Sequence, residues 1–358
     1  MIYNVPENSK LPTDKLSAVF NNTSASYKFY WFISLLQILV ETGDRKISIK
    51  SILIRMICNA WYPINYYKLN FGFSDKLNEN IFIIQQYLDI PIDISFDKLY
   101  NILKSSTDPT VVRLIFHFDQ HVPFRFLSPW IRGTRSEVVE ESQAYTDNCL
   151  YSLNIRDESY IEINPIWEDY LISHNKILLD FTYWNLLLYL QRRNPNVPNI
   201  GNKLIKPIER GSLTRQRQFW NLVLHECENL KCIYTGKPLE IDNYDVEHFI
   251  PWSFVSHDEM WNLIPADSSV NRSKSNKLPS DVYFSSFADL QYNGIKTVFE
   301  KHPRIKLLED YLILGSSISD IIQKPIGEFK EKYYKVVSPL IQIASNSGFE
   351  FWTNTLNE

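Results

Sequence analysis

The stretch Cys232 to Pro279, CIYTGKPLEIDNYDVEHFIPWSFVSHDEMWNLIPADSSVNRSKSNKLP, gathers side chains that could do chemistry. Asp245 to Ile250 reads as a short strand ending at Pro251, and it sets an acid, Glu247, beside a histidine, His248. Adjacent strand residues point to opposite faces, so these two share a target only if the strand end is distorted. Trp261 to Pro265 reads as a second short strand. Asp267 or Ser268 then caps a helix running through Lys277, which carries Asn271, Arg272 and Lys274. Phosphodiester hydrolysis needs an activated water, charge neutralisation on the phosphate and stabilisation of the leaving oxyanion. A histidine takes a proton from water near neutral pH. One hard divalent cation on oxygen ligands covers the other two needs. His248 suits the first task; Glu247 and the amide oxygen of Asn271 suit the second.

In order and spacing, the run E-H-F-I-P-W-S-F, the later W-N-L and the N-R-S-K-S resemble the HNH (ββα-metal) endonuclease family. The pattern is similar to the HNH domains of CRISPR effectors and of bacterial phage-defence and restriction proteins. The resemblance implies His248 as general base, Glu247 and Asn271 as ligands of one Mg²⁺ or Mn²⁺, and Asn262 as a catalytic-site residue bracing the loop between the strands. It puts Arg272 and Lys274, with Lys277 beyond them, where phosphate is faced, and it matches Tyr234-Thr235-Gly236 to the turn before the first strand. Two features depart from the family. Glu247 stands where Asp is common, which keeps an oxygen ligand on a longer arm. Cys232 stands alone without a C-x-x-C partner, so no structural zinc is expected. The implied substrate is double-stranded DNA, cut to a 5′-phosphate in bacterial anti-phage defence or restriction. The alternatives are a partner-activated nuclease subunit, an RNase, or a catalytically silent nucleic-acid-binding module. No Walker A sequence is present, so an ATP-driven step would belong to a partner ATPase or sensor subunit.

Other polar residues have plainer readings. His257 and Asp258 fall in the loop between the strands, where polar side chains are usually only solvated. His225, Cys227 and Cys232 lack the spacing and the fourth ligand of a zinc site. His117 and His121 flank Asp119 with no acid completing a metal pattern, and read as structural. Arg113, Arg125, Arg132 and Arg135 surround the aromatic run Phe124 to Trp130 and read as stems covering a core edge. Arg215 and Arg217 lie on the helix leading into the motif and are better candidates for the substrate backbone.

The elements that must position these groups can be read from the rest of the chain. At 358 residues, 44% hydrophobic and 22% charged, it has material for more than one core and is not disordered. A net charge of -4 excludes a binder held by bulk positive charge but not a local basic groove. Met1 to Leu11 lacks the apolar core of a secretory signal, and the four cysteines form no C-x-x-C pair; a cytoplasmic setting is expected. Phe29 to Val40 is too short to span a membrane and reads as a buried helix, Tyr27 to Val40, capped from Asn21 to Ser26 and stopped at Gly43. Further helices are expected over Ser48 to Ala60, Asn78 to Leu88, Phe96 to Lys104, Trp167 to His174 and Phe181 to Arg193. Strands are expected over Leu150 to Ile155 and Tyr160 to Ile163. Asn194 to Pro207, with its prolines and Gly201, is the linker candidate. After Pro279 the chain reads as helical, broken at Pro325 and Pro339. The expected fold is mainly α with a small α+β module. A helical region of unassigned role spans 1–200, the HNH module 208–285 and a helical segment 286–358.

Overall fold

The computed structural model describes residues 4–155, 159–206, 211–227 and 229–353. The chain is predominantly helical, with two small antiparallel sheets. It divides into two compact units, one of residues 1–195 and 203–206, the other of 196–202 and 207–358.

The first unit is built on the expected apolar helix. Tyr27–Thr42 buries Phe29 through Leu36 on every side and ends at Gly43, whose φ of 70° is the left-handed stop that glycine adopts without strain. Its start differs from expectation. Ser26 occupies the cap position but makes no side-chain capping bond, and its N–H instead donates to the Asp75 carboxylate at 2.6 Å. The helices Ile49–Trp61 and Asn175–Arg193 pack against it. The two expected strands form as β2, Tyr151–Asn154, and β3, Tyr160–Ile163, in the register Tyr151↔Ile163 to Asn154↔Tyr160. Part of their connection, 156–158, lies outside the described residues. A third strand, β1, Lys46–Ser48, adds to β3 and was not foreseen, because three residues carry too little alternation to read.

The linker candidate is more structured than its composition suggests. Asn194 is buried, and its amide both accepts from the Asn70 N–H and donates to the Asn70 carbonyl, each at 2.8 Å. Ile200–Lys203 forms a 3₁₀ turn, and Pro207 lies outside the described residues.

The second unit holds the motif and the C-terminal helices together. Helix Phe284–Lys301 packs on Thr214–Glu226 and on Ile326–Asn346. Gly294 permits that approach, since a Cβ there would lie 3.1 Å from the Trp220 ring. Pro325 is the cap residue of Ile326–Asn346, but Pro339 does not break that helix as expected. A helical proline costs about 3 kcal/mol. Burial of Phe329, Tyr333, Val337, Ile341 and Ala344 along one face offsets it. Among the described residues no helix is long and apolar enough to cross a membrane.

Candidate active site

The site is a two-stranded hairpin and one helix. Strand β4, Asp245–His248, pairs antiparallel with β5, Leu263–Ala266, in the register Asp245↔Ala266, Glu247↔Ile264 and His248↔Leu263. The second strand starts two residues later than expected, because Met260–Asn262 is a 3₁₀ turn. Helix Ser268–Lys274 follows, capped by Asp267, whose Oδ1 accepts the Ser269 N–H at 2.8 Å. It is one turn shorter than read, ending where Ser275 takes a φ of 45°.

Asn262 completes the hairpin. The ladder must stop at Pro251, which has no N–H to give. Ile250 would then bury an unpaired donor and acceptor. The Asn262 amide meets both, Oδ1 accepting from Ile250 N–H and Nδ2 donating to Ile250 O, each at 2.8 Å. Asn262 is 0% exposed. Expected among the catalytic residues, it is here a positioning residue that holds the strand end behind His248.

Strand alternation then sorts the side chains. Asp245 and Glu247 turn toward the helix, and each meets a residue of it. The Asn271 Nδ2 donates to Asp245 Oδ2 at 3.1 Å, and the Lys274 Nζ donates to Glu247 Oε1 at 2.6 Å. The match is geometric: alternate strand residues are about 6.5–7 Å apart and residues three apart on a helix about 5–6 Å. Lys274 also donates to the His248 carbonyl at 2.9 Å, and the Tyr234 hydroxyl donates to Glu247 Oε2 at 3.1 Å. Both oxygens of Glu247 are therefore engaged. Burial first, and the Glu247 charge next, push the Tyr234 phenol well above its ordinary range, so it stays a neutral donor. The turn Cys232 to Gly236 delivers this tyrosine; Gly236, at φ 70°, closes it by donating its N–H to Cys232 O at 2.9 Å.

His248 faces the other way. Its Nε2 lies 2.9 Å from Asp258 Oδ1, with the imidazole 13% and the carboxylate 29% exposed. Asp258 is thus not merely a solvated loop residue, as its sequence position suggested. Its loop is held by Gln216, whose Nε2 donates to Asp258 O at 3.0 Å. An ionised Asp258 makes Nε2 the donor and leaves Nδ1 as the basic nitrogen. The strand therefore carries an oriented imidazole on one face and oxygen donors on the other.

Residues 232–280 match the HNH endonuclease family. Over 90 residues, 24% of this chain, the sequence is 32% identical to the CRISPR-associated endonuclease Cas9 of Streptococcus mutans. It is 32% identical over 88 residues to the CRISPR-associated endonuclease Cas9 of Listeria innocua. The chain spans only 6% of the length of each of these relatives. No solved structure matches the chain significantly.

The remaining expected residues fall in different places. Lys274, expected to face phosphate, is instead 0% exposed and occupied with Glu247 and His248, because its helix position lies over the strand face that bears the acid. Arg272 is exposed, with Nε donating to Ser268 O at 3.1 Å. Lys277 is exposed and 4.0 Å from Glu350. Arg217 is half-buried, donating to Tyr244 O at 2.7 Å and lying over the Tyr244 ring, which is a structural use. Arg215 is exposed and lines a cleft with Leu222, Ile241 and Leu307 that contains none of the strand residues above. The Cys232 Sγ accepts the Asp267 N–H at 3.5 Å.

Sequence reasoning passed over Asp245, Tyr234 and Asp258. Asp245 was findable, because the pattern D-x-E puts it on the face of Glu247. Nothing local marks Tyr234 or Asp258 as partners of residues 13 and 10 positions away.

The donor set can be tested against a divalent cation. Among the described residues no three His, Cys, Asp or Glu side chains cluster to hold a metal ion. Asp245 and Asn271 do stand together, and turning the Asn271 amide would set its oxygen beside the carboxylate. That pair, with Glu247 next on the same face, is a hard oxygen set of the kind Mg²⁺ takes alongside waters. Lys274 at Oε1 would compete with such a cation for Glu247.

Proposed function

We propose that this chain is a metal-dependent HNH endonuclease that hydrolyses phosphodiester bonds of double-stranded DNA. The observation that carries this reading is the division of one strand between a carboxylate-oriented His248 on one face and Asp245 and Glu247 on the other, where Asn271 of the helix meets Asp245. His248 Nδ1 takes the proton of a water molecule as that water attacks phosphorus. Asp258 holds the ring and favours the imidazolium that forms. The bond from phosphorus to the 3′-oxygen breaks, leaving a 5′-phosphate and a 3′-hydroxyl. Glu247 and Asn271, joined by Asp245, are the residues that would hold a Mg²⁺ or Mn²⁺. Such an ion supplies charge neutralisation at the phosphate and the leaving oxygen. Arg272 and Lys277, both exposed, are placed to meet phosphates of the backbone.

The buried Glu247–Lys274 pair favours a second form of the same reading, a nuclease subunit that a partner activates. Displacing Lys274 would free Glu247 fully, and a partner such as an ATPase or sensor subunit would drive that change. Similarity to CRISPR-associated endonucleases supports a setting in bacterial anti-phage defence or restriction, within the cytoplasm.

The test is plasmid cleavage with Mg²⁺, Mn²⁺ or EDTA, comparing the wild-type chain with His248→Ala. Metal-dependent nicking or linearisation lost in the variant is expected. Equal cutting by both proteins would remove His248 from the mechanism.

A further inference from the structure

The first unit contains an open cleft of about 450 Å³ lined by Lys28, Lys76, His117, His121 and Arg125, with no Asp or Glu among its lining residues. We propose that this cleft binds a phosphate monoester. The inference is independent of the HNH reading and concerns a different unit of the chain.

Three segments contribute the basic side chains. Lys28 lies in the first turn of Tyr27–Thr42, and Lys76 opens Lys76–Tyr87. His117, His121 and Arg125 come from the stretch that the sequence alone presented as structural histidines and a core edge. Hydroxyls of Thr23, Ser24, Ser74 and Ser128 add neutral donors. Lys28 donates to Val19 O at 3.0 Å and to Ser128 Oγ at 3.3 Å, which leaves a third N–H for a ligand.

The carboxylates nearest the cleft each have a partner other than Lys28 and Arg125. Asp75 is buried, accepting from the N–H groups of Ser26 and Leu77 and from the Tyr189 hydroxyl. Glu79 pairs with Lys76, and Asp119 with Arg135. Among the described residues no carboxylate pairs with Lys28 or Arg125. Lys28 and Arg125 therefore repel each other. Burial, and then Arg125, push Lys28 down to about 8. Burial, then Arg125 and His117, lower His121. A doubly charged oxyanion with several acceptor oxygens relieves this repulsion and meets Lys28 and Arg125, which pair with no carboxylate among the described residues.

Titration calorimetry on the chain, with EDTA present to silence cleavage, tests the proposal. The probes are inorganic phosphate, adenosine monophosphate beside adenosine, and a 5′-phosphorylated oligonucleotide beside its 5′-hydroxyl twin. Saturable binding that requires the phosphate is expected. Arg125→Gln and His121→Gln, at exposed positions, should each weaken it about tenfold or more without changing the melting temperature. Equal affinity for the small phosphates and the phosphorylated strand identifies a free phosphate ligand. Preference for the phosphorylated strand over its twin and over the small probes identifies a strand end. Absence of saturable binding to every probe, or binding that chloride displaces equally and that both variants leave unchanged, overturns the proposal.

Discussion

The ammonium of Lys274 lies 2.6 Å from Oε1 of Glu247, and both side chains are buried. Removing one partner of such a pair leaves an uncompensated buried charge, at a cost of about 3–5 kcal/mol. Lys274→Met should therefore destabilise the chain by that order in urea. Mg²⁺ or Mn²⁺ should raise its melting temperature more than that of wild type, since the ion replaces the missing charge. Equal metal-induced shifts in the two proteins would show that Lys274 and the cation do not compete for Glu247.

His248 and Asp258 make a graded pair. His248→Ala should lower the cleavage rate by about 10²–10⁴-fold. Asp258→Asn keeps the shape but loses the charge that orients the ring, and should cost about 10–100-fold with little change in KM. A wild-type rate for Asp258→Asn would reduce Asp258 to a loop residue.

Asn262→Ala strips the Ile250 backbone of donor and acceptor together. Leaving two buried groups unpaired costs about 2–5 kcal/mol. Equilibrium unfolding should show that loss. A stable variant with normal unfolding but no cleavage would instead place Asn262 in the chemistry.

Tyr234→Phe removes the only hydroxyl on Glu247 Oε2 among the described residues, with the ring's aromatic contacts to Tyr283 and Trp352 retained. A loss of about 1–3 kcal/mol is expected, since the acceptor is charged. No measurable loss would mean that water replaces the hydroxyl.

Asp267 has a pH signature. The Ser269 side chain and N–H hold its carboxyl below the ordinary range, with Lys237 adding to this. A depressed acid contributes stability that is complete above its unfolded value and is lost as pH falls through the folded value. Asp267→Ala should thus cost about 1 kcal/mol near neutral pH. The gap to wild type should close in acid, below the ordinary carboxylate range. A gap independent of pH would mean that the cap does not depend on charge.

The extent of legibility in the sequence differs by element. The helix Tyr27–Thr42 was readable because an unbroken apolar run ends at a glycine. The antiparallel pair β2 and β3 was readable from alternation. The strand β1 and the passage of the helix through Pro339 were not, since one is too short to alternate and the other depends on burial along a distant face. In the site, the order of Glu247, His248, Asn262 and Asn271 pointed to a hairpin and helix, and the separation of Glu247 from His248 across the strand followed from the two-residue period alone.

By itself, then, the amino-acid order determined which residue types stand on which element, because spacing along a strand or helix sets the face each side chain takes. The tertiary structure decided which of those side chains meet. Lys274 became the partner of Glu247 and not an open phosphate contact, and Asp258 the partner of His248 and not a solvated loop residue. The physical reason is that hydrogen bonds and ion pairs act over about 3 Å in space. The loops that bring those atoms together carry no period from which such a meeting could be read.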